Sequence, residues 1–162
     1  MQAARAYVAF MMKFIARGLC AASRVDEVVR QELSPLPAGF TFEMSVLPAG
    51  PALRLRKRDD GTFVSGEPAD ARPDLAIRFK HLRHAMASFT FQEPTARSFA
   101  DDRMVVDGDP ALAMRMQRML DRLLVLTLPH RVAEKALLRV PDLKTVDKAR
   151  AAGRLWKEMV AP

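Results

Sequence analysis

Hydrophobic and polar positions change their period several times along this chain. Residues 3–22 repeat at helical spacing: Tyr7, Met11, Phe14 and Gly18 form one stripe, with Val8, Met12, Ile15 and Leu19 beside it. Arg5, Lys13 and Arg17 take the opposite side, so the pattern predicts an amphipathic helix. Ser23 reads as the N-cap of a second helix, with Asp26 three places on as an approximate capping box. Val25, Val28 and Val29 carry that helix to Leu33, and the prolines of residues 34–39 end it. The period then drops to two. Phe40, Phe42, Met44 and Val46 alternate with Thr41, Glu43 and Ser45, which predicts a strand over 40–47. Residues 52–58 alternate again, Leu53 and Leu55 inward, Arg54, Arg56 and Arg58 outward. Asp60-Gly61 is a tight-turn signal before a short third strand over 62–66. Leu75, Ile77 and Phe79 share one face of a fourth, over 74–79.

Helical spacing returns at 80–90 through Leu82, Met86 and Phe89, and Pro94 to Ala100 reads as one more short helix. Met104 to Asp107 is a fifth strand. Gly108-Asp109-Pro110 then acts as punctuation: glycine ends the strand, Asp109 caps, and proline takes the first helical position, where its missing N–H costs nothing. The helix it opens runs to about Val125, with Leu112, Met116, Met119, Leu120 and Leu123 on one face and Arg115, Arg118 and Arg122 on the other. Pro129 starts another helix, which ends before Pro141. Asp142 caps a last one, with Leu143, Val146, Gly153 and Trp156 on its apolar side. Strands joined by short turns, with helices gathered separately, describe an α+β fold. The expectation is a five-stranded, mostly antiparallel sheet covered on one face by helices, with N- and C-terminal helical additions. Residues 1–34 are read as helices packing on or beside the domain, 35–128 as its core, and 129–162 as a helical extension. The tetrapeptide Leu-Pro-Ala-Gly occurs at 36–39 and 47–50, which is reused turn chemistry and not a structural repeat.

Composition narrows the class. The 162 residues are 49% hydrophobic and 28% charged, which suits one folded domain, and the initial Met fits a whole small protein. One cysteine, Cys20, excludes an internal disulfide framework and fits a reducing compartment. The apolar run at 6–12 is broken by Lys13 and Arg17, so neither a membrane span nor a secretory leader is expected. The reading is a cytoplasmic protein, at most peripheral at a membrane. The net charge of +7 is compatible with nucleic acid, anionic lipid or simple solubility.

Candidate chemistry is sparse. His81 and His84 lie three apart, but no nearby carboxylate completes a metal site, so none is expected. Cys20 sits on an apolar helix, where cysteine is usually a small hydrophobe, and no serine has the setting of a nucleophile elbow. Asp101 and Asp102 are neighbours at a turn, where two carboxylates rarely converge on one substrate. Gly108 alone offers no phosphate-cradling loop. Neither a catalytic residue nor a cofactor is expected. Arg54, Arg56, Arg58 and Arg78 would line one sheet face, but the aromatics that a nucleic-acid platform stacks bases on alternate to the other side, which disfavours nucleic acid. What stands out is softness. Met104, Met114, Met116 and Met119 gather with Met86 and several phenylalanines, and methionine can line a space whose occupant varies. For any single methionine, ordinary core packing is the better account.

From Pro73 to Leu120 the chain resembles the sterol carrier protein 2 family. The features are a strand opening Pro73-Asp74-Leu75-Ala76-Ile77, a helix, a linker with Pro94 and Phe99, a strand ending Val105-Val106-Asp107-Gly108-Asp109, and a helix carrying Leu112, Ala113 and Met114. Residues 40–67 fit the preceding strands of that family. Asp101-Asp102-Arg103-Met104 departs from its usual Gly-Lys-Leu lead-in, and the helices after 128 have no counterpart in the minimal domain, although similar extensions occur in bacterial members implicated in isoprenoid quinone biosynthesis. The resemblance implies a hydrophobic tunnel that binds lipid without chemistry. Combined with the periodicity, it nominates Met86, Phe89, Phe91, Phe99, Met104, Val106, Leu112, Met116, Met119 and Leu120 as lining residues. The expected function is a non-enzymatic lipid carrier, presenting a quinone precursor to biosynthetic enzymes, with Arg5, Lys13 and Arg17 resting on an anionic membrane surface. Two alternatives stand beside it: an interaction module with a filled core, and nucleic-acid binding through the arginine face.

Overall fold

The computed structural model describes residues 1–66, 71–92, 101–137 and 145–161. Its elements are α1 (Gln2–Val25), α2 (Glu27–Leu33), β1 (Thr41–Val46), β2 (Ala52–Lys57), β3 (Phe63–Ser65), β4 (Leu75–Phe79), α3 (Leu82–Phe89), β5 (Met104–Gly108), α4 (Pro110–Thr127), α5 (His130–Ala136) and α6 (Thr145–Val160). The five strands form one mixed sheet in the order β3-β2-β1-β4-β5. Three pairings are antiparallel, and β1 with β4 is parallel. The chain order alone pointed to a run of hairpins. Instead β4 passes over to the far side of β1, which puts the parallel pair at the centre. The predicted short helix over 94–100, the last helix's cap at Asp142 and its Leu143 fall outside the described residues.

Register explains why one face is dry. Phe42 stands between Leu55 and Leu75, Met44 between Leu53 and Ile77, and Phe79 between Val46 and Met104, so the inward rows of successive strands coincide. Val8, Met12, Ile15 and Leu19 of α1, Val29 and Leu33 of α2, and Met116, Met119 and Leu123 of α4 join them in one hydrophobic cluster. α1 and α4 approach closely because residue 18 is glycine: a Cβ there would lie 2.7 Å from the Leu123 side chain. Gly108 is required for a different reason. Its φ is +139°, and a Cβ would meet the Asp74 carbonyl oxygen at 2.7 Å. Asp109 and Pro110 behave as their sequence predicts: the Asp109 carboxylate accepts from the Ala111 N–H at 2.7 Å, and Pro110 opens α4.

Three details depart from the periodicity. Ser23 does not cap a helix but lies buried within α1. Its hydroxyl donates to the Cys20 carbonyl (2.7 Å) and accepts from the Phe63 N–H (3.0 Å), so it fastens α1 to β3. Asp26 is the cap of α2, accepting from the Val29 N–H at 3.1 Å. On α6 the buried edge is Leu155 and Met159, while Val146, Gly153 and Trp156 lie exposed, with Trp156 touching the Phe14 ring at 6.0 Å. α1 already fills the space beneath the helix, so α6 is rotated from its most apolar stripe. Finally, α1 does have the length and apolarity of a membrane span, although half of its most apolar stretch is buried in this fold.

Candidate functional site

α1, α3 and α4 meet the sheet at one point where the packing does not close. The local sequence explains how. His81 caps α3, its ring nitrogen accepting from the Arg83 N–H at 3.3 Å. At the other end the Thr90 hydroxyl turns back onto the Met86 carbonyl (2.7 Å), and Phe91 adopts a left-handed conformation with φ +55°. The Tyr7 hydroxyl donates to the Phe89 carbonyl at 3.0 Å and holds this end of α3 against α1. Phe89 stands edge-on to Phe79, with centroids 5.6 Å apart. These constraints leave a cavity of about 50 Å³. Met11 and Ile15 of α1 wall it on one side, Met44, Ile77 and Phe79 of the sheet form its floor, and Ser88, Phe89 and Phe91 close another side. Gln117, Leu120, Asp121, Leu123 and Leu124 of α4 complete it.

The predicted lining residues divide. Phe89, Phe91 and Leu120 border the cavity. Met104, Met116 and Met119 are fully packed in the core, and Val106 and Leu112 pack against it half-buried. Met86 borders a second, open depression of about 1040 Å³, whose rim carries Lys80, His81, Arg83, His84 and Arg103. Phe99 lies outside the described residues. The expected hollow is therefore small: sites for drug-sized ligands run to roughly 300–1,000 Å³ of enclosed space.

Of the described cavity residues, only Phe89, Phe91 and Leu120 were nominated from the sequence, and the others include a polar pair on α4. Gln117 and Asp121, one helical turn apart, interrupt an otherwise oily wall, and the Gln117 amide donates to Asp121 Oδ1 at 2.7 Å. Burial pushes the Asp121 carboxyl above its ordinary 3.8, with the Gln117 bond opposing. Their position beside Leu120 and Leu124 on the helical wheel was the available signal.

The arginines of α4, which the periodicity puts on the face opposite its apolar residues, are committed to α2. Arg122 makes a bidentate pair with Asp26 (2.9 Å at its closest), and Arg115 and Arg118 converge on Glu32 at 3.0 and 2.6 Å. That pairing holds the Glu32 carboxyl below its ordinary value. The basic sheet face is likewise compensated. Arg54 pairs with Glu43 at 2.7 Å and Arg78 with Asp107 at 3.3 Å, while Arg58 sits past the end of β2 in the turn closed by its own N–H on Thr62. At the other surface Arg5 and Lys13 are exposed, but Arg17 donates from Nε to the Met159 carbonyl (2.6 Å) and caps α6. Cys20 is partly buried, and burial pushes its thiol up, away from the reactive thiolate. Among the described residues there is no cluster of three or more histidine, cysteine or acidic side chains able to hold a metal.

No family model and no curated relative matches this sequence. Several solved structures are similar. A ubiquinone synthesis protein, UbiJ-SCP2, shares 11% identity at a TM-score of 0.47, over 72% of this chain and 95% of its own. Sterol carrier protein domain 2 of Helicoverpa armigera shares 14% at 0.47, over 82% and 90%. Sterol carrier protein 2 of Yarrowia lipolytica, in its apo form, shares 16% at 0.44, over 70% and 88%. With TM-scores below 0.5 and identities this low, these likenesses are no guide to a ligand.

Proposed function

We propose that the protein binds an apolar lipid between its sheet and its helices and carries or presents it without altering it. The observation behind this reading is the incompletely packed junction of α1, α3 and α4, walled by hydrophobic side chains that include the pliable Met11 and Met44. As it stands the cavity accommodates no acyl or prenyl chain, since one water already takes up about 30 Å³ of liquid. Uptake therefore requires the α3 end to part from α4. Burial of the tail then supplies the affinity, at roughly 25 cal/mol per Å² before the costs of opening. An isoprenoid quinone precursor is the ligand we carry over from the sequence resemblance, and downstream biosynthetic enzymes are its recipients. We place the protein in the cytoplasm, docking on anionic lipid through Arg5 and Lys13 beside the exposed Phe10; Arg17 is spent on α6. The basic sheet face, neutralised by Glu43 and Asp107, lends nucleic acid little support.

The test has two parts. Organic extract of the purified protein, analysed by mass spectrometry, is expected to contain a co-purified lipid. Leu120→Trp, which fills the cavity from α4, is expected to reduce uptake of a fluorescent acyl probe by about tenfold while the fold persists. A lipid-free extract together with no probe uptake by the unaltered protein would leave a filled scaffold and end the proposal.

A further inference from the structure

A carboxyl group is an odd choice for the wall of an oily cavity. Asp121 is half-buried there, and among the described residues that wall the space there is no lysine, arginine or histidine. The arginines of the same helix are engaged elsewhere. Arg122, its neighbour in sequence, turns to Asp26, and Arg115 and Arg118 turn to Glu32. Asp121 accepts a hydrogen bond from Gln117, whose amide uses one of its two N–H groups and occupies one carboxyl oxygen. Ser88 adds a third polar side chain to the same wall from α3. Every other described residue of the cavity is apolar. An otherwise dry wall with one hydrogen-bonding notch matches an amphiphile, whose tail wants the apolar part and whose head wants the notch.

We infer that Asp121 and Gln117 form the head-group subsite of this cavity, and that they select an amphiphile ending in a neutral hydroxyl. The inference rests on the lipid-binding reading and deepens it. A hydroxyl donates to the carboxyl oxygen that Gln117 leaves free and accepts from the remaining amide N–H, so both partners are satisfied at little electrostatic cost. A carboxylate or phosphate head finds no cation to meet it and a like charge beside it. An ammonium head brings a second charge out of water into an apolar wall, where desolvation offsets most of the attraction.

The experiment uses three probes with the same sixteen-carbon tail: radiolabelled hexadecanol, hexadecanoate and hexadecylamine. Each is offered to the full chain at pH 8 from phosphatidylcholine vesicles, and protein-bound label is counted after the vesicles are sedimented. The unaltered protein is expected to retain the alcohol about tenfold better than either charged probe. Asp121→Asn, which keeps the shape and a hydrogen-bonding amide, is expected to hold the alcohol and to narrow the gap to hexadecanoate to within about threefold. Asp121→Leu is expected to lose about tenfold in alcohol retention. Thermal melts check that both variants fold. Three results overturn the inference while leaving lipid binding intact: equal retention of all three probes, preferential retention of the amine, or a preference that Asp121→Asn leaves unchanged. Retention of none of them by the unaltered protein removes the lipid-binding reading as well.

Discussion

Lys57 sits where two residue-level rules collide. Strand alternation places it inward with Leu53 and Leu55, and burial rules place lysine outside. Alternation wins because a partner is waiting. The ammonium donates to the carbonyls of Leu33 (3.0 Å), Ser34 (3.2 Å) and Leu36, at and just past the end of α2. Its apolar stem meanwhile covers the core. Lys57→Met keeps the stem and deletes the donors, and is expected to cost about 2 kcal/mol in urea unfolding. A loss below about 0.5 kcal/mol would mean that water reaches those carbonyls. Asp121 is the opposite case. It too lies on the wrong side of a pattern, but with no cation among the described residues of its cavity, and that contrast separates a structural polar group from a candidate binding one.

At the scale of elements, α2 and α4 are joined by charge as much as by packing. The acids Asp26 and Glu32 stand at the two ends of the seven-residue α2, and Arg122, Arg118 and Arg115 meet them along one side of α4. Their spacing of three and four residues was plain in the sequence; that a helix would come to cover them was not. Glu32→Gln is expected to destabilise by about 1 kcal/mol at pH 7 and low salt, a modest figure because Arg118 is half exposed to screening solvent. The pH dependence has a definite sign. Glu32 is held below its ordinary 4.5, so on acidification the unfolded chain takes up the proton first. Its contribution is complete above about pH 4.5 and disappears as pH falls through the lower folded value. Melting curves of the two proteins should therefore differ at pH 7 and converge as pH falls past the lowered folded value of Glu32. A difference that persists there would assign the loss to packing and not to charge.

For the whole molecule, α1 is the spine. It lies on β2 and β3, binds the end of α3 through Tyr7, and holds α6 through Arg17 and through Arg24, which pairs with Glu158 at 3.0 Å. The cavity sits where this spine meets the end of α3, and α3 is a short helix tied by few contacts to the sheet beneath it. Ligand entry is therefore expected to begin at α3. Hydrogen exchange should detect this as faster exchange of amides 86–91 than of the α4 amides 116–123 in the ligand-free protein, with the α3 amides slowing on lipid loading. Equal exchange in both segments, unchanged by lipid, would place the entrance elsewhere.

Which residues form helices and strands, and which of their faces are apolar, was determined by the sequence alone. Period and capping are local properties, set within a few residues of Asp109 and Pro110 or along the alternation of Phe42, Met44 and Val46. The tertiary structure decided everything that depends on distance between remote segments. It moved β4 beside β1, gave Arg122 a partner 96 residues away, and turned α6 so that Trp156 lies near the surface. It also reduced the expected tunnel to a small void and put Asp121 in its wall. The volume left between sheet and helices is a small difference between large packed volumes, and the order of residues along one element carries no record of it.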